Sequence, residues 1–268
     1  DGKEIYRKED WNGPVQGIGF RPWRNRMTIA SFELQGNLID PPPVPTPCGE
    51  PLYVSGQDGY RTYRIPALAV TTQGTLLAFC EGRKNSASDT GDIDLLVKRS
   101  TDHGRTWSPQ QVVWDDAGNT CGNPCAVVER ETGTIWLLMT WNRGDDHESQ
   151  IIAQTSKDTR RVFVTHSTDD GLNWSDPREI TADAKRDDWT WYATGPGHGI
   201  QLASGRLLAT VWLSTGTGGH AHRPSCVATI YSDDHGQTWE NGHIVADDGA
   251  RYVNPSESTA AELADGRV

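Results

Sequence analysis

The sequence has 268 residues, which is enough for one large domain with a substantial hydrophobic core. Its formal net charge of −11 argues against a nucleic-acid partner and against binding to an anionic membrane surface. No stretch approaches the roughly 18 consecutive apolar residues of a membrane span, so we expect no transmembrane segment.

Two segments precede the regular part of the chain. Residues 1–39 contain no repeat and end in a strand-like stretch at residues 27–34. We interpret residues 1–39 as the tail of a preceding β-module, and an N-terminal extension whose strand packs on the main domain is the alternative. Residues 40–51 begin with Asp-Pro-Pro-Pro-Val-Pro-Thr-Pro, which predicts a stiff linker between domains.

From residue 52 onward, short strand patterns recur in sets of four. The sets cover residues 64–70, 76–80, 92–99 and 111–114; then 123–128, 135–141, 162–166 and 179–181; then 198–202, 206–212, 226–231 and 243–245. Four antiparallel strands per repeat predict a blade of a β-propeller, and no long helix is indicated. Residues 255–268 have the pattern of the first strand of a fourth blade. We therefore expect residues 52–268 to form three blades plus one strand of a partial propeller.

An eight-residue phrase follows the third strand of every set. It reads Ser-x-Asp-x-Gly-x-(Thr/Asn)-Trp and occupies residues 100–107, 167–174 and 232–239, with starts 67 and then 65 residues apart. We predict a tight hairpin turn in which Asp bonds nearby backbone, Gly adopts a positive φ and Trp packs the turn onto its blade. The phrase lacks the regular oxygen ligands and the closing Glu of a calcium loop, so it does not predict a metal site.

The cysteines do not indicate a metal centre or a disulfide framework. They are Cys48, Cys80, Cys121, Cys125 and Cys226. The pair at positions 121 and 125 lacks a second Cys pair or a His pair at zinc spacing. We expect either buried free thiols or one disulfide, and no metal.

The segment Tyr63-Arg-Ile-Pro66 opens the first blade and is the second strong motif. Together with Asp89, Asn123-Pro-Cys125, Glu257 and the three Asp phrases, it resembles the exo-α-sialidases with Asp-box (BNR) repeats, which are six-bladed glycoside hydrolases. The resemblance covers residues 52–268, roughly the first half of such a catalytic domain. It implies an all-β, six-bladed β-propeller of the sialidase type. It also implies an enzyme that releases terminal α-linked sialic acid with retention of configuration and without a cofactor.

Two arginines are candidates for binding an anionic substrate. Sialic acid carries a carboxylate on its anomeric carbon, and the planar fork of a guanidinium meets both carboxylate oxygens. By the resemblance, Arg64 is the first of three carboxylate-binding arginines, and a surface salt bridge is the alternative. Arg83 matches a further arginine near the carboxylate and near Asp89, and an ordinary loop charge is its alternative.

The resemblance assigns Asp89 as the acid/base residue, on a loop 25 residues after Arg64. In that role Asp89 protonates the leaving glycosidic oxygen and later accepts a proton from water. Asp92 is a competitor, because a shift of a few residues would put it in the same place. Asp94 is expected to point outward from the following strand.

Glu257 matches the glutamate that activates a tyrosine nucleophile. A neutral phenol is not repelled by the substrate carboxylate as a charged carboxylate would be, but it needs a neighbouring base. Glu262 is the alternative on the same strand, and the five-residue spacing puts the two on opposite faces. The nucleophilic Tyr and two further arginines are expected beyond Val268, so residues 1–268 alone are expected to be inactive. Tyr192 is interpreted as a pocket wall or as blade packing.

Three further residues align loosely with family positions that contact the N-acetyl and glycerol groups of the substrate. They are Asn123, Glu148 and Trp212, and for each a purely structural role is an equal alternative. Trp189 and Trp191 are candidates, with Trp212, for lining a pocket.

Other functions stay open at this point. A lectin-like propeller that binds sialoglycans without turnover would need the arginines but not both Asp89 and Glu257. A trans-sialidase cannot be separated from a hydrolase by sequence, and an Asp-box scaffold would not need the Tyr-Arg-Ile-Pro motif. The resemblance implies sialylated glycans or gangliosides as substrates and a secreted, periplasmic or cell-surface location.

Overall fold

The structure, a computed structural model, describes residues 51–216 and 222–268. Within these ranges the chain forms fourteen strands and two short helices. The predictions for residues 1–39 and for residues 40–50 lie outside the described residues. In the described part of the chain, no helix is long and apolar enough to cross a membrane.

Each predicted set of strands forms an antiparallel blade. The first blade contains β1 (Thr62–Val70), β2 (Leu76–Arg83), β3 (Ile93–Ser100) and β4 (Gln111–Trp114). The second contains β5 (Thr120–Val128), β6 (Ile135–Asn142), helix α1 (Glu148–Ile152), β7 (Arg161–Ser167) and β8 (Arg178–Glu179), followed by helix α2 (Thr181–Ala184). In the third blade the first strand is split into β9 (Tyr192–Thr194), β10 (Gly197–His198) and β11 (Ile200–Gln201), followed by β12 (Leu207–Ser214), β13 (Ser225–Ser232) and β14 (Glu240–Asp247). Of the three pieces, β9 and β11 pair antiparallel with β12, whereas β10 pairs in parallel with β5 of the second blade. The prediction of an all-β partial propeller is confirmed.

The hydrophobic core lies between successive blades. Because side chains alternate along a strand, Leu137 and Met139 of β6 pack toward the first blade, whereas Leu138 packs toward the third. Both faces of β6 are therefore covered, and most of its residues are buried. A strand such as β6, which lies between two blades, is therefore nearly continuous in apolar residues.

The blades have two ends, which we call the turn end and the loop end. The turn end carries the short turns between the first and second strands and between the third and fourth strands of each blade. The loop end carries the starts of the first strands, the longer connections at residues 84–92 and 143–160, and the described residues 215–216 and 222–224. Since consecutive strands are antiparallel, these connections all fall at the same end of their blades.

The Asp phrase folds into the same turn in all three blades. In the second blade, Asp169 Oδ1 accepts hydrogen bonds from the Ser167 hydroxyl at 2.8 Å and from the backbone N–H of Asn173 at 2.9 Å. The other two blades repeat both bonds. The bonds from Asn173 lower the pKa of Asp169 to about 2. The predicted hairpin is confirmed, and the residue before the glycine also adopts a positive φ in every copy.

A second repeated turn joins the first and second strands. In the third blade, the N–H of Leu202 donates to Arg206 O at 2.8 Å, and the N–H of Gly205 donates to Leu202 O at 3.0 Å. The segment Leu263–Arg267 makes the same two bonds at 2.7 and 2.9 Å. Residues 255–268 therefore enter the turn that follows a first strand. They are not a strand in the structure, because no described strand pairs with them.

Four of the five cysteines lie in the described residues. Cys80, Cys121, Cys125 and Cys226 are all buried free thiols. Burial raises the pKa of the Cys125 thiol to about 12, so this sulfur is a poor nucleophile and a poor metal ligand. Cys48 lies outside the described residues.

Candidate active site

Most of the predicted site residues lie at the loop end of the blades. They are Arg64, Arg83, Asp89, Asn123, Glu148 and Trp212. Each is on the start of a first strand, on the end of a second strand, or on the connection that follows. The seventh residue, Glu257, lies in the segment that leads into the Leu263–Arg267 turn.

A left-handed residue followed by proline recurs at the start of each blade. The residues and their φ values are Ile65 at 56°, Asn123 at 53°, Gly195 at 69° and Asn254 at 52°. The strand register breaks there in both β1 and β5, so each break re-aims the neighbouring side chains. A β-branched residue such as Ile65 is strained in this conformation by about 1–3 kcal/mol. The surrounding structure holds that strain beside Arg64.

Arg64 lies at this break with one edge of its guanidinium engaged and the other open. Its Nη1 donates to Asp89 Oδ1 at 2.7 Å and to Ala87 O at 3.3 Å. Its Nε and Nη2 have no partner among the described residues, and the side chain is 43% exposed. The open edge has the two parallel donors that a carboxylate ligand needs.

Asp89 lies between two guanidinium groups. Arg83 Nη2 approaches the same Asp89 oxygen as Arg64, at 2.9 Å. Unlike Arg64, Arg83 is only 2% exposed and has no open edge, since its Nη1 donates to the carbonyls of Ala87 and Ser88 at 2.8 and 2.7 Å. Arg83 therefore holds the Asp89 loop, whereas Arg64 can reach a ligand.

Glu81 is a buried carboxylate that sequence reasoning missed. Its Oε2 accepts from Arg83 Nε at 3.0 Å, and its Oε1 accepts from the backbone N–H of Asn123 at 2.9 Å. A Cβ on Gly122 would lie 2.5 Å from the same Oε1, so the close approach requires glycine. Glu81 thus joins the Asp89 loop of the first blade to the left-handed break of the second.

Asp92 and Asp94 have structural contacts. From the sequence, Asp92 is an alternative acid/base residue and Asp94 is expected to point outward. Lys84 Nζ lies 2.9 Å from Asp92 and 3.1 Å from Asp94, and the Tyr60 hydroxyl donates to Asp94 at 2.6 Å. The expectation that Asp94 points outward is wrong, because the side chain is 1% exposed. Residues 51–61 cover this face of β3, and the strand pattern alone gave no sign of that cover.

The carboxylates of Asp92, Asp94 and Asp115 lie close enough to hold a cation. Lys84 already lies among them, with its ammonium 3.4 Å from Asp115. The ammonium supplies the positive charge that three neighbouring carboxylates need. Lys84 and Asp92 also close the base of the Asp89 loop through a backbone hydrogen bond of 3.1 Å.

An aromatic cluster lies at the loop end of the second and third blades. Trp212 packs edge-on against His222, with ring centroids 5.2 Å apart, and His222 Nε2 lies 2.5 Å from Glu148. The three predicted tryptophans are all buried, which fits packing better than an open pocket wall. Tyr192 is fully buried and its pKa is raised by burial, so it is a packing residue with a phenol that ionises poorly.

Glu257 and Glu262 have different surroundings. Glu257 is exposed, and no hydrogen bond or ion pair joins it to Arg64 or Asp89 among the described residues. Glu262 accepts a hydrogen bond from the backbone N–H of Ala203 at 2.8 Å, which ties it to a turn of the third blade. Glu257 is therefore the one of the two that is accessible to a ligand.

These features define an Asp-box propeller with an arginine–carboxylate site, and comparisons with known proteins agree. Residues 74–264 match the model of the family described as BNR repeat-like domain. The chain belongs to the BNR-repeat sialidase family.

Individual relatives support the assignment. The sialidase of Micromonospora viridifaciens is 38% identical over 245 residues, which cover 84% of this chain and 36% of that protein. The exo-alpha-sialidase of Aspergillus fumigatus is 36% identical over 56% of this chain and 41% of its own length. Among solved structures, the Hadza microbial sialidase Hz136 gives a TM-score of 0.64 at 30% identity, over 72% of this chain and 39% of that one. The chain thus spans well under two thirds of the length of the proteins it matches.

Proposed function

We propose that the full-length protein is an exo-α-sialidase that hydrolyses terminal α-linked sialic acid with retention of configuration. The observation that carries the proposal is the open Nε and Nη2 edge of Arg64, at a strained break in β1, with Nη1 of the same guanidinium 2.7 Å from Asp89. The site offers a fork for the substrate carboxylate and a carboxyl group beside it. Relatives named as sialidases support the same reading.

Substrate binding leaves the partners of Asp89 unchanged. An incoming carboxylate can bind the Nε and Nη2 edge of Arg64, because Asp89 occupies only Nη1. Arg83 has no open edge and keeps its contact with Asp89. Asp89 therefore stays beside the bound substrate. In its protonated form it gives its proton to the leaving oxygen, and the resulting carboxylate later takes a proton from the attacking water.

The second carboxylate acts on the nucleophile. Glu257 would remove the proton of a tyrosine that attacks the anomeric carbon, while the bond to the leaving oxygen breaks. The exposure of Glu257 and the tie of Glu262 to Ala203 favour Glu257 for this role. All these steps use side chains, so the proposed reaction needs no cofactor. We propose sialylated glycans or gangliosides as substrates, and a secreted, periplasmic or cell-surface location.

Arg64 gives the most direct test. The full-length protein should release free sialic acid from a fluorogenic α-sialoside. Arg64→Ala should lower kcat/KM by an amount equivalent to about 2–5 kcal/mol, because a desolvated carboxylate loses its partner. Arg64→Lys should recover little, since an ammonium cannot reproduce the fork.

Arg61→Lys is the matched control, because Arg61 is an exposed arginine three residues earlier in the same segment. It should leave kcat/KM within about twofold of the parent. A folded protein that binds the sialoside without turnover would favour the lectin-like alternative. Equal activity of Arg64→Lys and the parent would remove Arg64 from the site.

A further inference from the structure

Arg160 is a buried arginine that the proposed reaction does not use. It is 3% exposed, and no carboxylate lies within ion-pair distance of it among residues 51–216 and 222–268. Arginines this deeply buried are normally paired with an acid. Here the guanidinium stacks over Trp191, 4.2 Å from the ring centroid, and donates to Asn142 Oδ1 and Asn123 Oδ1. Burial lowers the pKa of Arg160 to about 10, so it stays charged at neutral pH.

Asn123 has a partner for every polar atom except one. Its N–H donates to Glu81 at 2.9 Å, and its carbonyl accepts from the Thr194 hydroxyl at 2.6 Å. Its side-chain Oδ1 accepts from the Thr140 hydroxyl at 2.9 Å and from Arg160. Only Nδ2 has no partner among the described residues, and the side chain is 8% exposed.

The chemistry of arginine fixes which way the amide points. A guanidinium has five N–H donors and no acceptor. If the Asn123 amide were flipped, its NH₂ group would face the N–H groups of Arg160, donor against donor. The oxygen must therefore face Arg160, so the NH₂ group points away from Arg160, and Nδ2 is not among the fully buried polar atoms that lack a partner in the described residues.

We infer that Arg160 is a positioning residue that locks Asn123 as a hydrogen-bond donor, so that this subsite binds a ligand oxygen and rejects an ammonium. The inference rests on the proposed function, since the ligand is the sialic acid of that site. A hydroxyl or carbonyl oxygen satisfies the free Nδ2–H, whereas an ammonium in the same place leaves two donors facing each other.

The effect of Arg160 on the orientation of Asn123 can be tested without a ligand. Asn123→Asp puts a carboxylate against Arg160, which can donate to it as it donates to the amide. The melting temperature should then stay within a few degrees of the parent. In an Arg160→Met background the same substitution buries an unpaired carboxylate, and the melting temperature should fall by about 5 °C or more beyond that of Arg160→Met alone. If the change in melting temperature of the double variant equals the sum of the changes of the two single variants, Arg160 does not orient Asn123.

The subsite is tested by ligand discrimination in the full-length protein. The probes are N-acetylneuraminic acid and analogues that each lack one oxygen (the 4-, 7-, 8- and 9-deoxy sugars) or carry a free amine in place of the acetamide. The analogue that lacks the oxygen bound by Asn123 Nδ2 should bind the parent about tenfold more weakly than sialic acid does. This difference in affinity corresponds to one lost hydrogen bond. Arg160→Met should bind sialic acid more weakly and discriminate against that analogue less than threefold.

Two further variants separate positioning from general damage. Arg160→Lys keeps a buried donor without an acceptor and should recover part of the discrimination. Arg161→Met changes the next residue, which is half-buried and pairs with Asp158 and Glu179, and should leave discrimination unchanged. Equal discrimination by the parent and Arg160→Met would overturn the inference while sialic acid still binds. A folded parent that binds no sialic acid would instead overturn the proposed function. The melting temperatures of the single and double variants would then be the test of whether Arg160 fixes the orientation of the Asn123 amide.

Discussion

The turn end and the loop end of the blades use repetition in opposite ways. At the turn end, the three Asp phrases make the same hydrogen bonds within their own turns. At the loop end, the backbone break recurs in each blade, but the side chains beside it differ: arginine before Ile65, glycine before Asn123 and threonine before Gly195. A repeated backbone thus holds a set of unlike side chains, and function is found where the copies diverge.

The two ends also differ in their charges. At the turn end, the third residue of each Asp phrase is satisfied within its own turn, and one charged contact joins two blades, because Arg99 Nη2 donates to Asp170 at 2.9 Å. At the loop end, charged groups reach across blades, as Glu81 does to Asn123. Arg160 and Lys185 are buried there with no ion-pair partner among the described residues. We therefore expect substitutions at the turn end to change stability and substitutions at the loop end to change activity.

The largest expected effect is on Asp89, at the loop end. A natural sugar is a poor leaving group and depends on a proton donor, whereas an activated aryl group departs with little protonation. Asp89→Ala should lower kcat/KM by about 10²–10⁴-fold on sialyllactose and by far less on an aryl sialoside. The measurement is steady-state kinetics of the full-length protein on both substrates.

Asp92→Ala is the comparison for Asp89→Ala, because it removes a carboxylate from the base of the same loop. It should affect both substrates alike, since Asp92 binds Lys84 and acts through the position of the loop. If Asp89→Ala lost activity uniformly and Asp92→Ala lost it selectively, the acid/base role would pass to Asp92.

Much of the turn end could be predicted from the sequence, because its interactions are local. Asp169, Ser167 and Asn173 lie within seven residues, so spacing and turn chemistry specify the fold of the phrase. The sets of strands followed for the same reason, since periodicity reports burial directly. The structure corrected three of the predicted strands. The last segment has no described strand partner, the strand predicted at 198–202 is split into three pieces, and the strand predicted at 179–181 ends at Glu179, before helix α2.

The loop end could be predicted only in part. Glu81 precedes Arg83 by two residues, so the two share one face of β2, and this pattern could have identified the pair. Arg160 gave no such signal, because Asn123 is 37 residues away on another strand. The cover over Asp94 comes from Tyr60, 34 residues earlier, and could not be read from the alternation of β3. The surroundings of Arg160 and Asp94 are set by contacts between residues that are far apart in the sequence, which the local pattern does not report.

The second-largest effect is expected at the turn end, on stability. Gly236 of the third Asp phrase has a φ of 93°, and a Cβ there would lie 2.1 Å from the Trp136 ring. Trp136 is held by His166 and Trp239, so the ring cannot move aside freely. Gly236→Ala should cost about 2–4 kcal/mol of unfolding free energy from strain and overpacking together.

Gly104→Ala separates strain from overpacking. Gly104 is the equivalent glycine of the first blade, with a φ of 83°, but a Cβ there would meet Leu76 only at 3.4 Å. It should cost about 1 kcal/mol from backbone strain alone. Urea titration of both variants measures the difference, and equal losses would mean that Trp136 yields to the added methyl group.

The smallest expected effect is a pH dependence of stability at the loop end. Lys185 Nζ donates to Thr159 Oγ1 and to the carbonyls of Arg160 and Thr190, at 2.6, 2.8 and 3.0 Å. Burial and the nearby Arg160 charge lower the pKa of Lys185 from 10.5 to about 7. Between those two pH values the unfolded chain keeps the proton and the folded chain releases it. The free energy of unfolding should therefore rise as pH increases from about 7, because the unfolded state binds more protons.

Lys185→Met isolates this contribution, since it removes the titrating amine and keeps most of the side-chain volume. The variant loses three hydrogen bonds and should be less stable than the parent at every pH. Its free energy of unfolding should nevertheless rise less between pH 7 and pH 9, by up to about 1 kcal/mol per pH unit. Urea titrations at pH 6, 7, 8 and 9 measure both curves. Parallel curves would mean that Lys185 keeps its proton in the folded state, and that the loop end holds two full buried cations rather than one.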